Sequence, residues 1–217
     1  MHFDLHVHST YSGDSITTIA EIIKSAEATG LAGVAICDHN TTEGAIKAMK
    51  LAKELRTSVQ IIPGIEVSTS EGHLLVLGVT EPLSPGKRVE ETIRAADKLD
   101  GLSIAPHPFK YGRKKGIGHA GSQNVDAIET MNSRCRLTCS NKRARQMAEA
   151  LGKPQVAGSD SHRPETIGMA YTEITPLSGE NVLDAIREGR TLPRGRIAPI
   201  PVVIKQACKA VLCRFNP

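Results

Sequence analysis

The chain has 217 residues, 40% of them hydrophobic and 23% charged, enough for one domain with a substantial core and too ordinary in composition for a disordered chain. Aromatic residues make up only 3%, with no tryptophan, so the exposed rings on which single-stranded nucleic acid stacks are in short supply. The net charge of +4 is unevenly spread: Arg190, Arg194, Arg196, Lys205, Lys209 and Arg214 fall after residue 188 with no acidic residue among them, leaving the rest of the chain slightly acidic.

The five cysteines (Cys37, Cys135, Cys139, Cys208, Cys213) are odd in number and sparse, which fits a reducing compartment and structural thiols. A strand beginning at residue 2 or 3 leaves no room for a signal peptide, and no apolar run approaches the roughly 20 residues of a membrane span. A cytoplasmic protein is expected. The sequence does not fix an oligomeric state.

In chain order, residues 2 to 7 predict a strand, and His6 and His8 fall on one side of it because strand side chains alternate. Alone, the pair reads as readily as two solvent-facing histidines. A turn-rich stretch containing Asp14 follows. Ile19, Ile22, Ile23 and Ala26 then mark a helix with a capping box at Thr18 and Glu21 and a stop at Gly30. Leu31 to Cys37 is a continuous apolar run, typical of a strand covered on both faces, and it ends in Asp38-His39-Asn40. Ala45, Ala48, Met49, Ala52 and Leu55 form the stripe of the next helix, and a third strand, Val59 to Ile65, ends in Glu66.

The segment between Glu66 and His73 is too short for a helical crossover, so a hairpin is expected, with Leu74 to Val79 running back and His73 at its start beside Glu66. Helix, strand and ligand-type residue then recur. Val89 to Leu99 is a helix, Leu102 to Pro106 a strand ending at His107, and Val125 to Thr130 a strand carrying Glu129. A helix through Ala144 to Leu151 follows, then a seventh strand, Gln155 to Ser159, ending in Asp160-Ser161-His162. A further helix is expected around Glu180 to Glu188.

This alternation predicts a single α/β domain, a distorted seven-stranded, TIM-like β/α barrel over residues 1–188. Residues 189–217 are read as a basic tail, a helix packed on the barrel. Strand carboxyl ends form the rim where such folds build their sites. That rim would gather His6, His8, Asp14, His39, Glu66, His73, His107, Asp160 and His162. Nine imidazole and carboxylate groups in one place would repel and be desolvated without cations, and mixed N/O donors suit zinc, manganese or iron. Lys110, Arg113, Lys114 and above all Arg134, just beyond strand ends, are candidates to bind phosphate. Asp38 either orients an imidazole or caps the next helix. Glu129 is expected to pack or hydrogen-bond near the rim, outside the metal set.

In His6-Val7-His8-Ser9, Cys37-Asp38-His39-Asn40-Thr41-Thr42-Glu43-Gly44, Gly64-Ile65-Glu66-Val67-Ser68, Ala105-Pro106-His107-Pro108 and Gly158-Ser159-Asp160-Ser161-His162, the chain resembles the PHP family, named for polymerase and histidinol phosphatase domains. The resemblance implies a distorted seven-stranded barrel with two or three divalent metals. One ion would sit on His6, His8, Glu66 and Asp160, a second on Glu66, His73 and His107, and a third on Asp14, His39 and His162. It also implies phosphoester hydrolysis by a metal-bound water, without a protein nucleophile, on a small phosphorylated metabolite or nucleotide. Two alternatives stay open: a 3′-5′ nuclease acting on DNA ends, which the basic tail would favour, and a non-catalytic PHP-like subunit of a ribonucleoprotein, which would expect eroded ligands.

Overall fold

The structure is a computed structural model that describes residues 1–110, 115–136 and 138–199. Its elements are β1 (His2–Val7), α1 (Ile19–Ala28), β2 (Gly33–Ile36), α2 (Glu43–Leu55), β3 (Gln60–Ser68), β4 (His73–Leu77), α3 (Val89–Asp97), β5 (Leu102–Ala105), α4 (Gly118–Gly121), β6 (Ala127–Asn132), α5 (Thr138–Leu151), β7 (Gln155–Gly158), β8 (Ala170–Ile174), α6 (Val182–Arg187) and β9 (Thr191–Gly195). Among the described residues, no helix is long and apolar enough to cross a membrane.

All seven expected staves are present, joined side by side from β7 through β1, and two further strands, β8 and β9, extend the sheet beyond β1. The expected count of seven is therefore corrected to nine among the described residues. β9 also replaces the start of the expected tail helix. Its Pro193 and Gly195 are what an edge strand tolerates, and its ladder runs antiparallel to β8 from Ala170↔Gly195 to Ile174↔Thr191. Residues 200–217, the remainder of that expected helix, lie outside the described residues.

β1, β2 and β3 run parallel, as do β5, β6 and β7, while β4 is antiparallel to both its neighbours. The hairpin pairs Ser68 with His73 and Glu66 with Leu75, so a residue at the start of β4 lies on the same rim as those at the end of β3. The barrel nearly closes at that rim. Val7 bridges Ser161 in parallel, with His8 N–H donating to Ser161 O at 2.8 Å. Lower in the seam, the Thr172 hydroxyl of β8 accepts from Ala157 N–H and donates to Ala157 O.

Packing explains the two-sided apolar strands. Phe3, Leu5, Ala35, Cys37, Ile62, Leu75, Leu77, Leu102, Ile104, Ala127 and Val156 form one core, joined by Val182, Ala185 and Ile186 of α6. The other faces of β1 and β2 pack on α1 and α2, and those of β3 to β6 on α3 and α5. Each such Leu or Ile, fully buried, contributes about 1.5–3 kcal/mol. α1 has the expected capping box: Thr18 Oγ1 accepts from Glu21 N–H, and the Glu21 carboxylate accepts from Thr18 N–H.

Candidate metal centre

β1 slips in register against β2 between Asp4 and Val7: Asp4 pairs with Val34, yet Val7 already pairs with Ile36. An extra residue is thereby accommodated, which re-aims the side chains beyond it. His6 and His8 are fully buried and their Nε2 atoms converge to 3.1 Å. Gly158 makes room for His6, since a Cβ on it would lie 2.4 Å from His6 Cβ. His6 Nδ1 lies 3.0 Å from the Glu129 carboxylate, a contact that holds the ring with Nε2 turned to the rim. His8 Nδ1 is engaged by Ser12 Oγ at 3.0 Å.

Glu66, at the end of β3, is the centre of the arrangement. Its Oε2 lies 3.2 Å from His8 Nε2, 3.6 Å from His6 Nε2 and 3.2 Å from His39 Nδ1, while its Oε1 lies 2.7 Å from His73 Nδ1 and 3.2 Å from His107 Nε2. Asp160 Oδ1 stands 3.6 Å from His8 Nε2 and 3.7 Å from His162 Nδ1, and its Oδ2 stands 3.9 Å from His107 Nε2. Asp14 reaches His162 Nε2 at 3.1 Å and His39 Nε2 at 3.6 Å. All nine expected ligands are thus on one rim. They group as His8, Asp14, His39 and His162; His6, His107 and Asp160; His6, His8 and Glu66; and His39, Glu66 and His73, so His6, His8, His39 and Glu66 each join two groups.

The electrostatics match. Burial would raise both carboxyl groups, but His39 and His6 around Glu66, and Lys110 and Arg134 beside Asp160, hold them well below the carboxylate range. Burial pushes His107 down to about 4 and His162 down to about 3, helped by Lys110 and by His8 respectively, so both imidazoles are neutral at physiological pH. Neutral imidazoles and ionised carboxylates are the forms that ligate metal. Against its burial, Glu129, Asp160 and Glu66 raise His6 well above the usual imidazole range, so in the absence of metal a proton lies between the Nε2 atoms of His6 and His8, where a divalent cation would take its place. His107 Nδ1 is buried without a hydrogen-bond partner, and His39 Nδ1, although near Glu66 Oε2, is off hydrogen-bond geometry. The donor set therefore fits divalent metal ions.

Three rim residues are held in positive φ: Asn40 (58°), His107 (31°) and Asp160 (53°). Such conformations cost about 1–3 kcal/mol each and gather at functional sites. Lys110 Nζ is hydrogen-bonded to Asp160 Oδ2. Arg134 reaches Asp160 Oδ1 at 3.1 Å and the His162 ring nitrogens at 2.8 and 3.0 Å. Of the four expected cations, Lys110 and Arg134 are at the site; Arg113 and Lys114 lie outside the described residues. Among the described residues, Asp38 hydrogen-bonds no imidazole nitrogen and caps no helix. It accepts the Ser9 N–H and Oγ–H, each at 2.6 Å, and so fixes the end of β1. Glu129, besides holding His6, accepts from His107 N–H at 2.7 Å and Asn132 Nδ2 at 2.9 Å. The hydrogen bonding expected of Glu129 near the rim is observed, and what the sequence does not name is its partners; its signal is a lone carboxylate inside an apolar strand. Ser12 and Gly158 gave none.

The model of the PHP domain matches residues 4–154, and that of a PHP-associated region matches residues 139–191. The chain belongs to the PHP family. Among its relatives, the uncharacterized protein MJ1587 of Methanocaldococcus jannaschii is 35% identical over 143 residues, covering 61% of this chain and 82% of the relative. A 5′-3′ exoribonuclease of Haemophilus influenzae is 40% identical over 126 residues, 53% of this chain and 44% of that protein. The fold is shared with a two-domain protein of Bacteroides vulgatus described as containing a predicted PHP-like metal-dependent phosphoesterase. That likeness has a TM-score of 0.72 at 16% identity, over 97% of this chain and 69% of the other.

Proposed function

We propose that this PHP-family chain is a metal-dependent phosphoesterase that hydrolyses a phosphate ester of a small metabolite or nucleotide. The observation that carries the proposal is the convergence of four overlapping His/carboxylate groups on Glu66 and Asp160, with Lys110 and Arg134 on the same rim. His6, His8, Glu66 and Asp160 would hold one ion, Glu66, His73 and His107 a second, and Asp14, His39 and His162 a third. Bound divalent ions supply Lewis acidity and a water acidified towards neutral pH.

The chain's own part is to bind and orient. Glu129 and Ser12 fix the imidazoles of His6 and His8. Arg134 offers a planar fork, and Lys110 a point charge, to a phosphate or a charged leaving group. Cys135 is no nucleophile, since burial pushes its thiol up to about 12.

The nuclease alternative draws on the exoribonuclease relative, of which this chain spans less than half. A non-catalytic subunit is disfavoured because all nine ligand positions carry His, Asp or Glu. The deciding experiment measures bound metals per chain and screens the same sample on phosphomonoesters, nucleoside bisphosphates, cyclic nucleotides and single-stranded nucleic acid. Phosphate release from small esters alone supports the proposal, and mononucleotide release from polymer ends supports the alternative. Unchanged metal content and turnover in the double variant His6→Ala/His8→Ala would refute both.

A further inference from the structure

Asp4 lies within β1, ahead of the slip that turns His6 and His8 to the opposite face, and it is not among the ligands. Its carboxylate is fully buried, and no lysine or arginine pairs with it among the described residues. Three backbone N–H groups from three segments converge on it instead. Oδ1 accepts from Ser159 at 2.8 Å and His6 at 3.3 Å, and Oδ2 accepts from Gly168 at 2.9 Å. Burying a charge without a counter-charge is expensive, and a serine or asparagine would cost less. Only a carboxylate, however, offers two oxygens that both accept and never donate.

Each donor has a place in the site. His6 N–H lies where β1 slips against β2, and that slip aims His6 and His8 at the rim. Ser159 directly precedes Asp160, which is held at a φ of 53°. Gly168 belongs to the loop leading into β8, the strand that flanks β1 at the seam. The three bonds thus tie together the two sides of the seam at which the barrel closes, one residue away from Asp160 and two away from His6.

From this we infer that Asp4 is a positioning residue: it acts across the seam to set His6 and Asp160 at ligating distance from the same point. The inference rests on the metal-centre reading above. An isosteric Asp4→Asn change would keep the size but present an NH2 group to one of the backbone N–H donors, prising β1 and the end of β7 apart.

The test titrates cobalt into the wild type, Asp4→Asn and Thr172→Val, following the visible d–d bands and the melting temperature. Thr172 braces the same seam through Ala157 and is remote from the ligands, so its variant reports seam stability alone. Asp4→Asn should weaken cobalt binding by about 10- to 100-fold, the range for groups that orient ligands, and should alter the band shape. Thr172→Val should lose melting temperature with neither change. Wild-type affinity and spectrum in Asp4→Asn, or an equal loss in Thr172→Val, would overturn the inference. If Asp4→Asn does not fold, amide exchange in the wild type decides. Metal loading should slow the His6, Ser159 and Gly168 amides together, and no change in them would overturn the inference. A wild type that takes up no cobalt refutes the metal-centre reading itself and the inference with it, whereas equal binding by wild type and Asp4→Asn refutes the inference alone.

Discussion

Substituting Gly158 by alanine tests the seam geometry with a single methyl group. The new Cβ would lie 2.4 Å from His6 Cβ and 2.9 Å from both His6 N and Glu129 Oε1, where ordinary contact begins at 3.4 Å. β1 and β7 must therefore move apart by about 1 Å, against bonds such as Ser161 N–H to His6 O, already 3.3 Å long. Overpacking of this kind costs about 1–3 kcal/mol, a fall in Tm of roughly 2–12 °C for a domain of this size. His6 moves relative to both Glu129 and Asp160, so metal affinity should fall by about 10- to 100-fold. The assay is cobalt titration alongside thermal unfolding, with Ile186→Val on α6, expected to cost about 0.5–1.5 kcal/mol, as a destabilised control that leaves the rim untouched. Metal affinity within twofold of wild type in Gly158→Ala would refute the reasoning.

Lys110→Met and Arg134→Met should raise KM for a phosphomonoester at least tenfold while metal content stays within the wild-type range, as steady-state kinetics with elemental analysis will show; metal loss with unchanged KM would assign them to the ligand shell instead. Metal-saturated protein should melt about 5–11 °C above chelator-treated protein, because an ion at 100 times its Kd adds about 2.7 kcal/mol; equal melting curves by calorimetry would argue against binding to the native state. Gly44→Ala would place a methyl group 2.0 Å from Asp38 Oδ2 and 2.6 Å from Ser9 Oγ. It should break the Asp38–Ser9 clamp, and circular dichroism melts should show a loss of about 1–3 kcal/mol.

Much of this site is legible in the sequence because parallel strands buried on both faces leave few polar residues, and those few mark strand ends. Glu66, His39, His107 and Asp160 each follow an apolar run, and the six-residue gap before His73 dictates the hairpin that brings it to the rim. What escapes the sequence depends on tertiary closeness. Gly158 matters only because His6 crosses it, and Glu129 only because two strands bring it beside His6 and His107 N–H. β8 was missed because its half-buried alternation follows directly on a loop, and β9 because proline, glycine and arginine disguise an edge strand as a tail. Asp38, expected either to orient an imidazole or to cap the next helix, serves Ser9, 29 residues earlier in the chain.

The central claim is that Glu66 sits at the heart of a multi-ion centre. Five imidazoles approach its two oxygens within 3.6 Å. Removing one partner of such a buried set costs about 3–5 kcal/mol, roughly 10²- to 10⁴-fold in affinity. The most direct measurement is elemental analysis of metal per chain in wild type and Glu66→Gln after saturation and desalting, with phosphomonoester turnover on the same samples. Two or three ions in the wild type, reduced by at least one in Glu66→Gln with turnover lost, is the predicted result. Equal metal content and equal turnover in the two proteins would contradict the account.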